Sequence, residues 1–337
     1  MLRGDFRPWG PLRWLLSKLT ATRWDLLGCL ATEERALAAW TFLKSHGSIK
    51  HVKLLEVHDE HPQDSPHTRF FDGTERKLRE KRDAFLAGGG SVADLETCYL
   101  GDIYGRFVDA TDEFLKFAGK NVIIDISSLP KRVFFPAIRR VLQSREVRNI
   151  IVTYTIPAKY ADDELVEDPQ LWTYLPTFAP PDDEPDDKLL IVGLGYEPLG
   201  IRHASEGKGL HLLFPFPSLP PGIRRNWDFV YELRGNPSPP IQRVHIYDVP
   251  ETFDRIRTIT KRGGQYAILA PYGPKPVSLA MCLYAVAAGE ATKPPSVFYT
   301  QPRAYNPDYS SGVAEEDGHP CTMGYCLRIQ GRDLYRM

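Results

Sequence analysis

Short, unbroken apolar runs recur along the chain, and most are followed by a stretch with helical spacing. Residues 24–30 read WDLLGCL, the pattern of a strand buried on both faces of a parallel sheet. ATEERALAAWTFLKSHG follows, with Ala36, Leu37, Trp40 and Leu43 at helical intervals and Gly47 as a C-terminal stop. HVKLLEVH predicts a second strand, so the three elements make a right-handed crossover unit. A polar, irregular stretch, 59–73, leads into a charged helix, TERKLREKRDAFL, that stops at Gly88-Gly89-Gly90. That helix reads as a solvated or partner-facing insertion. ADLETCYL then reads as a strand and GDIYGRFVDATDEFLKFAG as a helix.

The next stretch, Ile123 to Tyr160, occurs twice. The first copy is VIIDISSLPKRVFFPAIRRVL followed by IIVTYTIPAKY; the second is YAILAPYGPKPVSLAMCLYAV followed by SVFYTQPRAY. Each has an apolar strand, a short turn ending in Pro-Lys, a helix, and a second strand running into Tyr-Thr-x-Pro-x-x-Tyr. The interval from Lys131 to Tyr154 and that from Lys275 to Tyr299 agree to within one position. Motif and spacing together indicate an internal duplication.

Between the copies the pattern breaks down. Residues 162–178 are acidic and aromatic, and Pro180 to Asp187 is an acidic, proline-rich linker that builds no core. KLLIVGLGYE then restarts the scheme. HLLFPFPSLPPG and the residues around 227–233 read as proline-interrupted loops, VHIYDV as a strand and TFDRIRTITKRGG as a helix. TMGYCLRIQGRDLY predicts a terminal β-hairpin turning at Gly331. The expected class is α/β: two tandem Rossmann-like, parallel-sheet domains forming a pseudo-dimer, with a C-terminal β-hairpin. The expected boundaries are an N-terminal arm at 1–23, a first domain at 24–179, the linker at 180–187 and a second domain at 188–337. Trp9 and Trp14 of the arm are expected to pack on the body or on a partner.

Composition narrows the class. With 337 residues, 42% hydrophobic and 25% charged, the chain is a globular protein with room for two cores. A formal net charge of −1 gives no strong signal for a nucleic-acid polymer. Five cysteines, several in apolar runs, suit reduced thiols and a cytoplasmic location better than a disulfide framework. No apolar segment reaches spanning length, so no membrane association is expected.

Candidate chemistry concentrates in the repeated turn. In a doubly wound sheet, ligands sit at the carboxyl ends of the strands, where the winding reverses. Asp125 ends one strand, Ser127 and Ser128 offer hydroxyls, and Pro130 and Lys131 open a helix. Tyr272, Gly273, Pro274 and Lys275 occupy the same place in the second copy. A helix N-terminus with a lysine in its first turn is a natural anion site, and an ammonium suits phosphate. The competing reading, an ordinary turn with a surface lysine, is weakened by its occurring twice. There is no GxxxxGK[ST] loop, no GxGxxG turn and no GxSxG elbow, which argues against Walker-type hydrolysis, ordinary NAD binding and the usual serine hydrolases.

Asp-x-Ser-x-x-x-Lys in the first half and Gly-Pro-Lys-Pro-x-Ser-x-Ala in the second resemble the strand-to-helix signature of CRISPR-associated Rossmann-fold (CARF) sensor domains. The resemblance covers one turn per half and the βα order. Leu129-Pro130 replaces a small Gly-Thr pair, and Leu269-Ala270 stands where an acid is expected. It implies dimerised domains that bind a cyclic oligonucleotide between them, sometimes cleaving it. By that resemblance Ser127, Ser128, Lys131, Gly273 and Lys275 contact the ligand. The loops after each first strand would complete the pocket: Thr32, Glu33 and Arg35, and Gly195, Tyr196 and Glu197, with Arg202 nearby. The opposing reading makes these helix-capping acids and solvated arginines. Tyr160 and Tyr305 would stack bases or else pack under the strand ends.

His51, His58, His61 and His67 lie with Asp59, Glu60 and Asp64, but without a helical HExxH frame, and no metal is expected. Cys321 and Cys326 lack zinc spacing. The sequence therefore predicts a sensor for a phosphate-bearing, nucleotide-type ligand, with no cofactor and an effector supplied by a protein partner. The resemblance places it in prokaryotic anti-phage defence. The alternatives are a metal-independent phosphodiesterase acting on that ligand and a non-catalytic scaffold subunit.

Overall fold

The computed structural model describes residues 6–59, 70–162, 165–169, 171, 173–195, 209–217, 222–232 and 239–337. The described strands are, in chain order, β1 (Trp9–Pro11), β2 (Trp24–Leu30), β3 (Ile49–His58), β4 (Leu95–Tyr99), β5 (Asn121–Asp125), β6 (Asn149–Thr155), β7 (Pro157–Tyr160), β8 (Val166–Pro169), β9 (Thr173–Tyr174) and β10 (Leu189–Gly193). They continue with β11 (Gly209–Phe216), β12 (Ile241–His245), β13 (Ala267–Pro271), β14 (Ser296–Tyr299), β15 (Pro302–Tyr305), β16 (Ser310–Val313), β17 (Glu315–Glu316), β18 (His319–Pro320), β19 (Thr322–Ile329) and β20 (Arg332–Asp333). The helices are α1 (Leu12–Lys18), α2 (Ala38–Ser45), α3 (Phe71–Ala87), α4 (Tyr104–Phe117), α5 (Lys131–Gln143), α6 (Gly222–Glu232), α7 (Val249–Ile259) and α8 (Lys275–Ala287).

The chain forms two compact units, one of Met1–Asp168 with Pro302–Leu334 and one of Pro169–Gln301 with Tyr335–Met337. In the first, β4-β3-β2-β5-β6 are parallel, β19 adds antiparallel to β6, and β1 adds antiparallel to β19. Every residue of β2 is buried, as its unbroken apolar run predicts. In the second, β12-β11-β10-β13-β14 are parallel and β9 adds antiparallel to β14. Both units thus order their parallel strands 3-2-1-4-5, with the winding reversing between the first and fourth strands. The expected α/β class, with tandem Rossmann-like sheets, is what the topology shows. The terminal hairpin is also present: β19 and β20 pair antiparallel around Gln330 and Gly331, both at positive φ (50° and 82°).

The unit boundaries differ from the expected ones. Residues 302–334 join the first unit because β19 pairs with β6. The switch to the second unit comes earlier than the acidic linker, since β9 already pairs with β14. Glu184 of that linker accepts hydrogen bonds from Tyr174 Oη (3.1 Å), Tyr266 Oη (3.3 Å) and Lys188 Nζ (2.9 Å), which anchors the segment in the second unit. The N-terminal arm is an integral layer as well: β1 lies on β19, Trp9 stacks on Tyr325, and Leu12 and Leu15 are buried. Trp14, in contrast, is 53% exposed.

The charged helix α3 is no insertion. Leu78 and Phe85 are buried, and Phe85 meets Trp40 with ring centroids 4.8 Å apart. HLLFPFP, read as a loop, is β11, and the stretch around Trp227 is α6. No helix among the described residues is long and apolar enough to cross a membrane, and all five cysteines are free thiols, four of them buried.

Candidate functional site

In the first unit the winding reverses between β2 and β5, so the loop after β2 and the turn before α5 converge there. Asp125 closes β5 with its carboxylate buried. Its Oδ1 accepts from Ser127 Oγ (2.6 Å), Ser127 N (3.3 Å) and Thr153 Oγ1 (3.0 Å). Ser127 is fully buried, and its Oγ also accepts from Thr155 N (2.8 Å). This pair therefore braces the turn. Ser128 donates to Cys29 O (3.4 Å), tying the turn to the end of β2. Pro130, at φ −58° and ψ 148°, occupies the N-cap of α5 without a side-chain cap, and Lys131 is half-buried in the first turn.

Across the reversal point, Thr32 is half-buried whereas Glu33 and Arg35 are buried together. Arg35, 1% exposed, donates from Nε to Glu33 Oε2 (2.8 Å) and from Nη1 to Thr155 O (3.1 Å). Its guanidinium carbon lies 5.2 Å from the Tyr154 ring centre and 5.9 Å from that of Tyr160. Tyr154 and Tyr160 share a hydrogen bond between their hydroxyls (2.9 Å), and Ser310 Oγ donates to Glu33 Oε2. Burial opposes the charge on Arg35, yet Glu33, Tyr154 and Tyr160 hold its pKa well above the ordinary value. The reading of Arg35 as a solvated arginine and of Glu33 as a helix-capping acid is corrected: Glu33 makes no side-chain cap bond, β7 and β16 pair antiparallel, and Tyr160 and Ser310 from that pair enclose Glu33 and Arg35. Tyr160 is accordingly a packed wall of the cluster.

In the second unit the corresponding point lies between β10 and β13. Tyr272 is buried, which raises its pKa, and its Oη accepts from Thr300 N (3.1 Å). The two copies repeat one bond: the N–H of the threonine in each Tyr-Thr pair meets a hydroxyl 28 residues upstream, Ser127 in one and Tyr272 in the other. Gly273 O accepts from Ser278 Oγ (3.1 Å), Pro274 is the N-cap of α8 at φ −51° and ψ 152° without a side-chain cap, and Lys275 is half-buried. A Cβ on Gly195 would lie 1.8 Å from Tyr272 O, so the two loops meet backbone to backbone and glycine is required there. Glu197, Tyr196 and Arg202 lie outside the described residues.

Tyr305 does not occupy the position that the duplication assigns it. The chain leaves the second unit at Gln301, and Tyr305 ends β15, which pairs with β8. Its N–H bonds the carboxylate of Asp59, to which Thr74 Oγ1 also donates (3.3 Å). Beside it, His58 Nδ1 meets Glu75 Oε1 at 2.7 Å and His58 Nε2 meets Glu56 Oε1 at 3.3 Å. His51 instead pairs with Asp25 at 2.7 Å, and His61, His67, Glu60 and Asp64 lie outside the described residues. Two concave surfaces, one over Lys53, Glu96 and Arg106 and one along β12, include none of the predicted site residues.

Sequence reasoning missed Tyr154, Thr153, Thr155 and Ser310. The repeated Tyr-Thr pair was the available signal for two of them.

No family model matches the chain, and no curated protein matches it. Among solved structures, it is similar to a universal stress protein from Archaeoglobus fulgidus DSM 4304, at 8% identity and a TM-score of 0.22. That likeness covers 82% of this chain and 96% of the other, and at such a score the fold assignment rests on the strand order alone.

Proposed function

We propose that this chain is a binding protein for a phosphate-bearing, nucleotide-type ligand, held at the carboxyl edge of its parallel sheets. One observation carries the reading: both units present a Pro-Lys turn and the N-terminus of a 13-residue helix, without a side-chain cap, where the winding reverses. A helix N-terminus with an adjacent ammonium attracts a phosphate. Ser128, Lys131 and Thr32 line the first turn, Lys275 the second, and the Glu33–Arg35–Tyr160 cluster shapes the wall behind. Burial of Asp125 and Ser127 favours recognition over attack on the ligand. The CARF resemblance supports a cyclic oligonucleotide as ligand, an anti-phage setting and an effector partner. The same burial also favours a second reading, a non-catalytic scaffold subunit with self-satisfied turns.

A thermal-shift series with cyclic di-, tri- and tetranucleotides and linear nucleotides tests this, with chromatography of each mixture. A ligand at 100 times its dissociation constant adds about 2.7 kcal/mol. The shift is expected with the ligand intact and is lost in the Lys131→Ala, Lys275→Ala double variant. New products would make the chain a phosphodiesterase. An unchanged shift in the double variant would remove the lysines from the site, and no shift with any nucleotide would leave the scaffold.

A further inference from the structure

The parallel order of each unit ends in an edge strand, β4 in the first and β12 in the second. In the first unit two outward groups of β4 are covered by the chain itself. Thr97 O accepts from Arg106 Nη2 (3.5 Å), and Tyr99 N donates to Asp102 Oδ2 (2.8 Å). Such covering keeps an edge from pairing with another chain.

In the second unit β12 is different. Leu212 N donates to Pro240 O (2.9 Å) and Ile246 N to Phe216 O (3.0 Å), so alternation turns the even-numbered residues of β12 toward β11. Ile241, Arg243 and His245 therefore turn their N–H and C=O groups outward. His245 N is covered by Glu251 Oε2 at 3.3 Å. Ile241 and Arg243 have no such cover among the described residues, and Ile241 is 45% exposed. The edge runs along a concave surface formed by Phe216, Ile241, Arg243, His245, Glu251 and Arg255. Arg243 lies over the Phe216 ring at 4.9 Å and has no carboxylate partner among the described residues, whereas Arg255 is shared with Glu251 at 3.4 Å.

We infer that the open edge of β12 receives an extended acidic segment of a partner protein by strand addition. Main-chain bonds to Ile241 and Arg243 would hold it. Alternate side chains would sit over Ile241, as an apolar contact, and over Arg243, as a carboxylate. A second copy of this chain fits less well, because a symmetric pair centred on Arg243 sets two guanidiniums opposite each other. This inference is independent of the nucleotide reading.

The test is a fluorescence-anisotropy titration of the full chain with a labelled peptide of repeating Val-Thr-Glu-Thr, which sets valine and glutamate two apart on one face of the added strand. Saturable binding is expected. Arg243→Glu should weaken it about tenfold, equivalent to about 1.4 kcal/mol. Arg243→Pro should abolish it by removing an outward N–H that no described residue accepts, with folding checked by circular dichroism. A fully N-methylated peptide, which keeps the side chains but loses its donors, should not bind. No saturation, equal binding of the methylated peptide, or binding indifferent to both variants would overturn the proposal. Self-association that Arg243→Pro dissolves, without peptide binding, would assign the edge to a second copy and overturn it equally.

Discussion

Asp59 follows β3 with its carboxylate enclosed, and burial lifts its pKa to about 7 against the opposing hydrogen bonds from Thr74 and the Tyr305 N–H. An acid whose folded pKa exceeds its unfolded value of about 3.9 binds more protons when folded. Its contribution to stability therefore falls as pH rises from about 4 to about 7, then levels off. His58 acts in the same sense: its bond to Glu56, ahead of its other interactions, raises its pKa, so its stabilisation is present at low pH and lost as pH climbs through the folded value. Glu56, lowered chiefly by that bond, loses its contribution in acid. Asp59→Asn keeps an acceptor and removes the ionisation. It should add roughly 2–4 kcal/mol at pH 8 and almost nothing near pH 4. Urea unfolding across that range measures it, and a pH slope identical to the wild type would refute the assignment. Arg35 could not be read in this way from sequence. An arginine after a strand reads as solvated, and the groups that enclose it, Tyr154, Tyr160 and Ser310, arrive from distant parts of the chain.

At the scale of elements, the contact between the β10 loop and the turn before α8 sets the floor of the second reversal point. Gly195→Ala would drive a Cβ into Tyr272 O, and because the obstacle is backbone the strain cannot relax through a rotamer. A loss of about 3 kcal/mol is expected, together with weaker nucleotide binding even though Lys275 is untouched. A variant as stable as the wild type would show that the two loops part readily. The strands feeding these turns were legible because burial on both faces leaves an unbroken apolar run, as in WDLLGCL and LLIVG. The turns were legible because they occur twice. β11 was not, since Pro215 and Pro217 erase the strand signal although its neighbours β10 and β12 hold it in the sheet. VHIYDV was placed late by a few residues, because the exposed edge strand Ile241–His245 buries only Val244 and lacks a continuous apolar face.

Taken whole, the molecule departs most from its sequence reading in connectivity. A duplicated chain invites a cut between the copies, yet the pairing of β6 with β19 joins residues far apart in sequence, and no local pattern announces it. Removal of residues 302–337 should therefore damage the first unit more than the second. It strips β6 of its antiparallel neighbour and leaves Leu12 and Leu15 without the β19 surface they cover. The second unit loses mainly the Tyr335 ring beside Phe253, 5.1 Å away. Hydrogen exchange should show lost protection in β2, β5 and β6 with β10 and β13 still protected; protected β6 amides in the truncated chain would contradict this. The same pairing dictates an order of events during translation. The flank of β6 stays bare while the ribosome makes Pro169–Gln301 of the second unit and the residues up to β19, roughly 10–30 s at about 5–20 residues per second. The sheet of the later-encoded unit is thus complete in the nascent chain before that of the first, whose β6 edge stays unpaired until β19 returns to it.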